Sequence, residues 1–147
     1  MNSKKTPITK WIAIFLAVLI TILGIVVIIG WYTKNAALLS VIPNAVAMQY
    51  NTALGFVMSG LGLLLFMLKV KRFPFVFGVL VFILGFLTAL EYLLGLNFGI
   101  DELFMDHYIT DKVTYKGRMA PNTAICFTLT GLLMIVHYKR QFFKKAS

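Results

Sequence analysis

Three polar side chains stand out among the long apolar stretches of this 147-residue chain. Glu91 is an acid inside one apolar stretch, and Asn51 and Asn122 each open another. Ionisable side chains inside a membrane are costly, so they usually pair with other polar groups or line a site. These three residues are therefore the first candidates for binding chemistry.

The two asparagines belong to two copies of one sequence pattern. Residues 48–61 read MQYNTALGFVMSGL and residues 119–132 read MAPNTAICFTLTGL, with a constant offset of 71 positions. Both copies fit M-x-x-N-T-A-x-x-F-x-x-x-G-L, which indicates an internal duplication. A repeat of this kind constrains the architecture before any single element is assigned.

The composition indicates a membrane protein. Hydrophobic residues make up 60% of the chain and charged residues only 13%, whereas soluble domains have about 25% charged residues. The net charge of +9 is better explained by basic residues flanking membrane spans than by nucleic-acid binding. A single cysteine, Cys126, excludes an intramolecular disulfide and a C-x-x-C redox site.

The apolar stretches predict an all-α fold with four transmembrane helices in one domain. A membrane-spanning helix needs about 20 apolar residues, and the spans are predicted at about 11–32, 48–69, 73–96 and 121–138. The first stretch is too long for a signal peptide and has no A-x-A-like cleavage site. Residues 33–47 and 97–120 form the connecting loops, the first with a short helix broken near Pro43.

The basic residues predict the orientation of these helices. The amino terminus, the turn at 69–74 and the carboxyl-terminal tail hold 10 of the 14 lysines and arginines. The positive-inside rule then places both termini in the cytoplasm and the loops at 33–47 and 97–120 outside. The fold is thus two tandem helical hairpins in parallel-repeat topology, with both Asn-Thr pairs at outer helix ends.

Helix geometry places the three polar residues at one depth. Asn51 and Glu91 each lie 18 residues from the inner end of their span, roughly 27 Å, and Asn122 lies 16 residues away, roughly 24 Å. The hydrocarbon core is about 30 Å thick. These values predict a polar cluster just inside the outer interface.

Two interpretations of this cluster stay open. It could be a ligand or sensing site open to the outside. Alternatively, the Asn-Thr pairs could cap helix starts and form modest interhelical hydrogen bonds, with Glu91 solvated. Small residues behind the pairs predict packing faces for a tight four-helix bundle: Thr52, Gly55, Ser59 and Gly62 in one helix, Thr123, Cys126 and Thr130 in another, and Gly78, Gly85 and Ala89 in a third.

Other chemistry is disfavoured. His107 and His137 are predicted on opposite membrane faces, so they cannot ligate one haem within a protomer. Met105, Asp106, His107 and Met119 share a side but have no metal-site spacing, and the acids of the 97–120 loop are more simply solvated. No nucleophile–base pair or phosphate-binding loop is present. We expect no catalytic residue, metal or cofactor.

Residues 90–132 carry a more specific pattern. The runs LEYLLG at 90–95, GIDELF at 99–104 and GRMAPNTA at 117–124, followed by Phe127, resemble the amino-terminal membrane sensor region of many bacterial histidine kinases and diguanylate cyclases. In those proteins this region precedes PAS, kinase or GGDEF modules. The resemblance implies a sensory input role in the bacterial inner membrane, a cytoplasmic output protein or domain as partner, and a homodimer.

The expected function is therefore a membrane-embedded sensory module without enzymatic activity. Its ligand could be a lipid, a quinone or another amphiphile, and no nucleic acid is expected. A small transporter and a structural subunit of a membrane complex are the alternatives. The candidate ligand-binding residues are Asn51, Thr52, Glu91, Tyr92, Asp101, Arg118, Asn122 and Thr123.

Overall fold

The computed structural model describes residues 8–40, 46–70, 72–109 and 115–146, and every regular element in these ranges is a helix. The elements are α1 (Ile8–Thr33), α2 (Ala36–Leu39), α3 (Tyr50–Met67), α4 (Phe73–Leu94) and α5 (Pro121–Ala146). The all-α prediction is confirmed over this part of the chain. Pro43, where the first connector was predicted to break, lies outside the described residues.

Three of the helices are long and apolar enough to cross a membrane, namely α1, α3 and α4. Their apolar side chains are widely exposed, as expected for helices whose surroundings are lipid. These features indicate a helical membrane protein. The fourth predicted span lies within α5, which is not among these three helices.

Helices α1 and α3 form an antiparallel hairpin that is closed by glycines. A methyl group added at Gly24 would lie 2.6 Å from the Ala53 carbonyl oxygen, and one added at Gly60 would lie 2.7 Å from that of Ala17. Only glycine fits such a close backbone approach. The hairpin therefore depends on one glycine from each helix.

Helices α4 and α5 form a second antiparallel hairpin of the same kind. An added methyl group at Gly85 would lie 2.6 Å from the Ala124 carbonyl oxygen, and one at Gly131 would lie 2.6 Å from that of Gly78. These contacts support the packing role predicted for Gly78 and Gly85. They bring the backbones of α4 and α5 together at two levels.

The small-residue face predicted for α5 is wrong by one position. Thr123 and Thr130 are half-buried and Cys126 is exposed, whereas Ala124, Phe127 and Gly131 are the buried residues. In α3 the predicted face is right, since Thr52, Gly55, Ser59 and Gly62 are all buried. Residue size alone therefore selected the packing face of α3 but not that of α5.

The two hairpins are joined through α3. This helix packs against α4, and its contact with α5 includes the edge-to-face rings of Phe56 and Phe127, 5.4 Å apart. Among the described residues, α1 contacts neither α4 nor α5. The helices thus form an open row of two hairpins rather than the tight four-helix bundle expected, because α3 separates α1 from the second hairpin.

Candidate functional site

One end of the molecule gathers most of the buried polar side chains of the described residues. The carboxyl ends of α1 and α4 meet the amino ends of α3 and α5 there, together with residues 97–109 and 115–120; we call it the loop end. Gly95 ends α4 in a left-handed conformation (φ 65°), which turns the chain back across this end. The loop can therefore cover both hairpins.

A buried ion cluster occupies the loop end, formed by Glu91, Asp101 and Arg118; we call it the charged cluster. The Arg118 Nε atom lies 2.7 Å from Asp101 Oδ2 and 3.4 Å from Glu91 Oε2. The side chains of Arg118, Glu91 and Asp101 are 2%, 0% and 5% exposed. Charges removed from water to this degree need paired and hydrogen-bonded partners.

Backbone groups complete the environment of the cluster. The Phe98 amide donates to Glu91 Oε1 at 2.7 Å, and Arg118 Nη2 donates to the Leu96 carbonyl at 3.2 Å. Both contacts hold the segment that leaves α4. The cluster thus fixes the loop's first turn to the end of α4 and to the residues that precede α5.

Asn51 ties the first hairpin to the same loop. Its Nδ2 donates to the carbonyl oxygens of Ile100 at 2.8 Å and Asp101 at 3.3 Å. The helix cap position of α3 is Gln49, which makes no capping hydrogen bond through its side chain. Asn51 is therefore a tertiary link to the loop, and the capping interpretation does not apply to it.

Two tyrosines enclose the arginine. The guanidinium carbon of Arg118 lies 4.5 Å from the ring centre of Tyr115 and 5.4 Å from that of Tyr92. The Tyr92 hydroxyl also donates to the Met119 carbonyl at 3.1 Å. Aromatic rings attract a guanidinium electrostatically and exclude water from it. This packing holds Arg118 in one orientation toward the two carboxyl groups.

The electrostatics of the loop residues follow from burial. Burial raises the pKa of the Asp101 carboxyl, and the hydrogen bond from Arg118 opposes this without cancelling it. For Arg118, burial alone would lower the pKa, but the hydrogen bond and charge of Asp101 raise it overall. Arg118 is therefore always charged, and one cation faces two acids.

The structure brings together most of the residues predicted for the site. Asn51, Glu91, Asp101 and Arg118 are buried at the loop end, with Thr52 buried beside Asn51 in α3. Tyr92 is half-buried over Arg118. Asn51 and Glu91 therefore lie at the same end of the molecule, as the equal distances along their helices predicted.

Asn122 does not join this cluster. It is exposed, and its Oδ1 accepts a hydrogen bond from the Thr123 amide at 2.9 Å, while Thr123 is half-buried. Arg118, four residues earlier, is the group that reaches Glu91. The repeated Asn-Thr pair therefore has different roles in its two copies.

A second group at the loop end was missed by the sequence reasoning. Trp31 Nε1 donates to the Met48 carbonyl at 2.9 Å, and its ring contacts His107 and Tyr108 at centre distances of 5.8 and 5.0 Å. The Tyr108 hydroxyl donates to the Trp31 carbonyl at 3.3 Å. The sequence carries no specific signal of this contact, because an aromatic pair such as Trp31 and Tyr32 at the end of an apolar stretch is typical of a membrane interface.

An apolar cavity of about 240 Å³ lies at the opposite end, between α3, α4 and α5. Its walls include Phe66, Met134 and His137. Lipid chains and other apolar groups fit such linings. Within the described ranges, no three His, Cys, Asp or Glu side chains are placed to hold a metal ion.

Comparisons with known proteins leave the family open. The chain matches no protein-family model, no curated protein and no solved structure. Its function must therefore be argued from the charged cluster and from the elements that the cluster joins.

Proposed function

We propose that this protein is a membrane-embedded sensory input module that relays an extracytoplasmic or membrane-borne signal to a cytoplasmic output partner. The observation that carries the proposal is the charged cluster, which links the 97–120 loop to α4 and to the start of α5. Buried charges paired in one arrangement are strongly destabilised when one partner moves away. Movement of the loop is thereby coupled to the helices.

The coupling has a direct route along α5. This helix begins three residues after Arg118 and continues to Ala146, a length of about 39 Å at 1.5 Å per residue. A change at the loop end that shifts Arg118 would shift the whole helix. The signal must bind two arrangements of the loop with different affinities for this to happen.

Further features belong to the same proposal. We infer that α5 is the fourth span, that both termini are cytoplasmic and that the loop end faces outward. The support is the distribution of basic residues and the resemblance to bacterial sensor regions, which favours the inner membrane. The signal could be an amphiphile such as a lipid or quinone, and a homodimer is the expected assembly.

Cysteine labelling tests the membrane arrangement. In a Cys126→Ser background, single cysteines replace Lys34, Lys116, Arg72 or Lys139, all of which are exposed. A membrane-impermeant maleimide added to intact spheroplasts should label the Lys34→Cys and Lys116→Cys variants. The Arg72→Cys and Lys139→Cys variants should react only after permeabilisation. Labelling of Lys139→Cys from outside would contradict the four-span arrangement.

A ligand panel tests the sensory role. The purified chain in nanodiscs is screened for thermal stabilisation by lipids, quinones and other amphiphiles, because a ligand at 100 times its Kd stabilises by about 2.7 kcal/mol. The proposal expects a compound whose effect is reduced in Glu91→Gln and retained in Asp106→Asn, since Asp106 is exposed. A panel without such a compound removes the support for ligand sensing.

The relay is measured with the compound that the panel identifies. Spin labels on Arg72→Cys and Arg140→Cys, again in the Cys126→Ser background, report the distance between α5 and the start of α4 at the far end. The compound should change the distance distribution in the wild-type cluster and not in Glu91→Gln. An unchanged distribution in both would show that binding is not transmitted through α5.

A further inference from the structure

We propose that the charged cluster is a proton-binding site, in which Glu91 and Asp101 share one proton that they release as the external pH rises. The role of the proton as the signal rests on the proposed sensory function. The binding of a proton at this site does not rest on that function.

The charge balance of the cluster is incomplete without a proton. Arg118 supplies one positive charge to two carboxyl groups, and its Nε atom is within 3.4 Å of both. With both acids ionised, the described side chains of the buried site would carry one uncompensated negative charge, which a site shielded from water strongly disfavours. Two neighbouring carboxyl groups usually avoid this by retaining one proton between them.

Arg118 is the only basic side chain among the described residues that forms an ion pair with the cluster. On α4 the neighbouring titratable group is Tyr92, and on the loop these groups are Glu102 and Tyr115. On α3 the facing group is the neutral amide of Asn51. The charge of Glu102 adds to the repulsion on Asp101, which further favours the protonated pair.

The hydrogen bonds point to the same proton. Glu91 Oε1 accepts from the Phe98 amide, and Asp101 Oδ2 accepts from Arg118. In the described structure no donor in hydrogen-bonding geometry reaches Glu91 Oε2 or Asp101 Oδ1, although both are fully buried. The two carboxyl groups face the same Arg118 Nε atom, which lies 3.4 Å from Glu91 Oε2 and 2.7 Å from Asp101 Oδ2. One proton between them would satisfy a buried oxygen that otherwise has no partner.

The sign of the pH effect follows from linkage. A folded state that holds the shared proton binds more protons than the unfolded chain, whose carboxyl groups titrate near pH 4. Stability therefore falls as the pH rises from this region through the pKa of the folded pair. Loss of the proton leaves Glu91 and Asp101 competing for Arg118, which loosens the loop from α4 and α5.

Infrared difference spectroscopy on the full chain in nanodiscs observes the proton directly. Raising the pH from acidic to alkaline should remove one carbonyl band of a buried carboxylic acid. No other band of a buried carboxylic acid should remain at alkaline pH. The band should be absent in Glu91→Gln and in Asp101→Asn and present in Asp106→Asn, whose carboxyl group is exposed. Carbon-13 labelling of aspartate in the wild type gives the same assignment if either cluster variant fails to fold.

Two results would overturn the proton site. One is a spectrum in which both carboxyl groups are ionised over the whole pH range. The other is stabilisation of the alkaline form by Na⁺, K⁺ or Ca²⁺, which would show that a cation occupies the site instead. Either result leaves the sensory proposal standing.

The distance measurement in the Arg72→Cys/Arg140→Cys pair, repeated across the same pH range, tests the signalling step. A pH-dependent change that disappears in Asp101→Asn supports proton sensing. A titrating band without any movement of α5 would show a proton site that is not the sensory input.

Discussion

Arg118 is the residue on which the loop end depends most. It pairs with Asp101 and Glu91, donates to the Leu96 carbonyl and lies against two tyrosine rings. A planar guanidinium can make these contacts at once, whereas the ammonium of lysine is a point charge without stacking faces. The loop and two helices therefore share one side chain.

Replacing this arginine should be severely destabilising. In Arg118→Gln the two carboxyl groups lose the one cation that pairs with them in the described part of the chain, and removal of one partner from a buried ion pair costs about 3–5 kcal/mol. The measurement is the free energy of unfolding in denaturant, in detergent micelles. Lys116→Gln is the control, because Lys116 is exposed and should change stability by less than about 0.5 kcal/mol. Equal effects of the two substitutions would contradict a structural role for the cluster.

The sequence predicted part of this site for physical reasons that can be stated. Asn51 and Glu91 lie on regular helices, so counting residues at a fixed rise gave their depth. Arg118 and Asp101 lie on an irregular loop, whose path has no period from which a position can be calculated. They entered the prediction through the resemblance of their motifs to sensor regions, and not through geometry.

At the scale of the elements, close glycine contacts define each hairpin. Glycines differ in what an added side chain would meet. At Gly131 a methyl group would contact the backbone of Phe82 and the Gly78 carbonyl oxygen, so α4 and α5 would have to separate. At Gly62 it would meet mainly the tip of the Met134 side chain, which can rotate away.

This difference predicts unequal effects of one substitution type. Gly131→Ala should destabilise the protein by about 1–3 kcal/mol, the usual cost of overpacking a fixed interior. Gly62→Ala should cost less than about 1 kcal/mol, because Met134 adapts. Thermal unfolding of both variants in the same nanodiscs gives the comparison. A larger loss for Gly62→Ala would show that α4 and α5 tolerate separation.

The elements were more predictable than their packing. The long apolar helices could be predicted from the length of the apolar stretches, and three of them are long and apolar enough to cross a membrane. Which face of α5 meets α4 could not be read from residue size, since Cys126 is exposed while Phe127 is buried. The packing face of α5 is determined by its partner α4, because Gly85 of α4 leaves room for the Phe127 side chain.

At the scale of the whole molecule, the two hairpins repeat each other in their contacts. Trp31 donates to the Met48 carbonyl in the first hairpin, and Tyr92 donates to the Met119 carbonyl in the second. The donor residues Trp31 and Tyr92 are 61 positions apart in the sequence, and the acceptor residues Met48 and Met119 are 71 positions apart. The repeat found in α3 and α5 thus extends to α1 and α4, where the sequence alone had not shown it.

The glycine contacts follow the same two offsets. The close contact of Gly24 with Ala53 in the first hairpin corresponds to the contact of Gly85 with Ala124 in the second. The two glycines are 61 positions apart and the two alanines 71. Because the second offset is 10 positions longer, the second hairpin has about ten more residues in its connection. Asp101 belongs to that longer connection, and Glu91 takes the position of Gly30 in the first hairpin. The charged cluster is therefore a feature that only the second hairpin has.

The duplication predicts matched effects at its two hydrogen bonds. Trp31→Phe and Tyr92→Phe each remove one donor and should each cost about 1 kcal/mol, the usual net value of such a bond. Trp11→Phe is the control, because Trp11 is exposed and lacks an equivalent acceptor contact in the described structure. The free energies of unfolding of the three variants test whether the two hydrogen bonds contribute equally. A loss confined to one hairpin would show that the two bonds are not equivalent.

The open row of helices also predicts that the chain can be divided between its hairpins. Each hairpin holds its own close contacts, and the hairpins meet through Asn51, through Gly55 against Phe127 and through α3 against α4. Residues 1–70 and 71–147, expressed together as separate chains, should therefore associate in the membrane. Co-purification through a tag on one fragment measures this.

Gly55→Leu in the first fragment is the matched control. A methyl group at Gly55 would already lie 2.5 Å from the Phe127 ring, so a leucine should block docking of the second hairpin. It leaves Gly24 and Gly60, which close the α1–α3 hairpin, unchanged. Recovery of the wild-type pair and loss of the Gly55→Leu pair would establish two units that fold separately and dock through α3. If the wild-type fragments fail to associate, the connection at 68–72 holds the hairpins together and the contacts across α3 do not suffice.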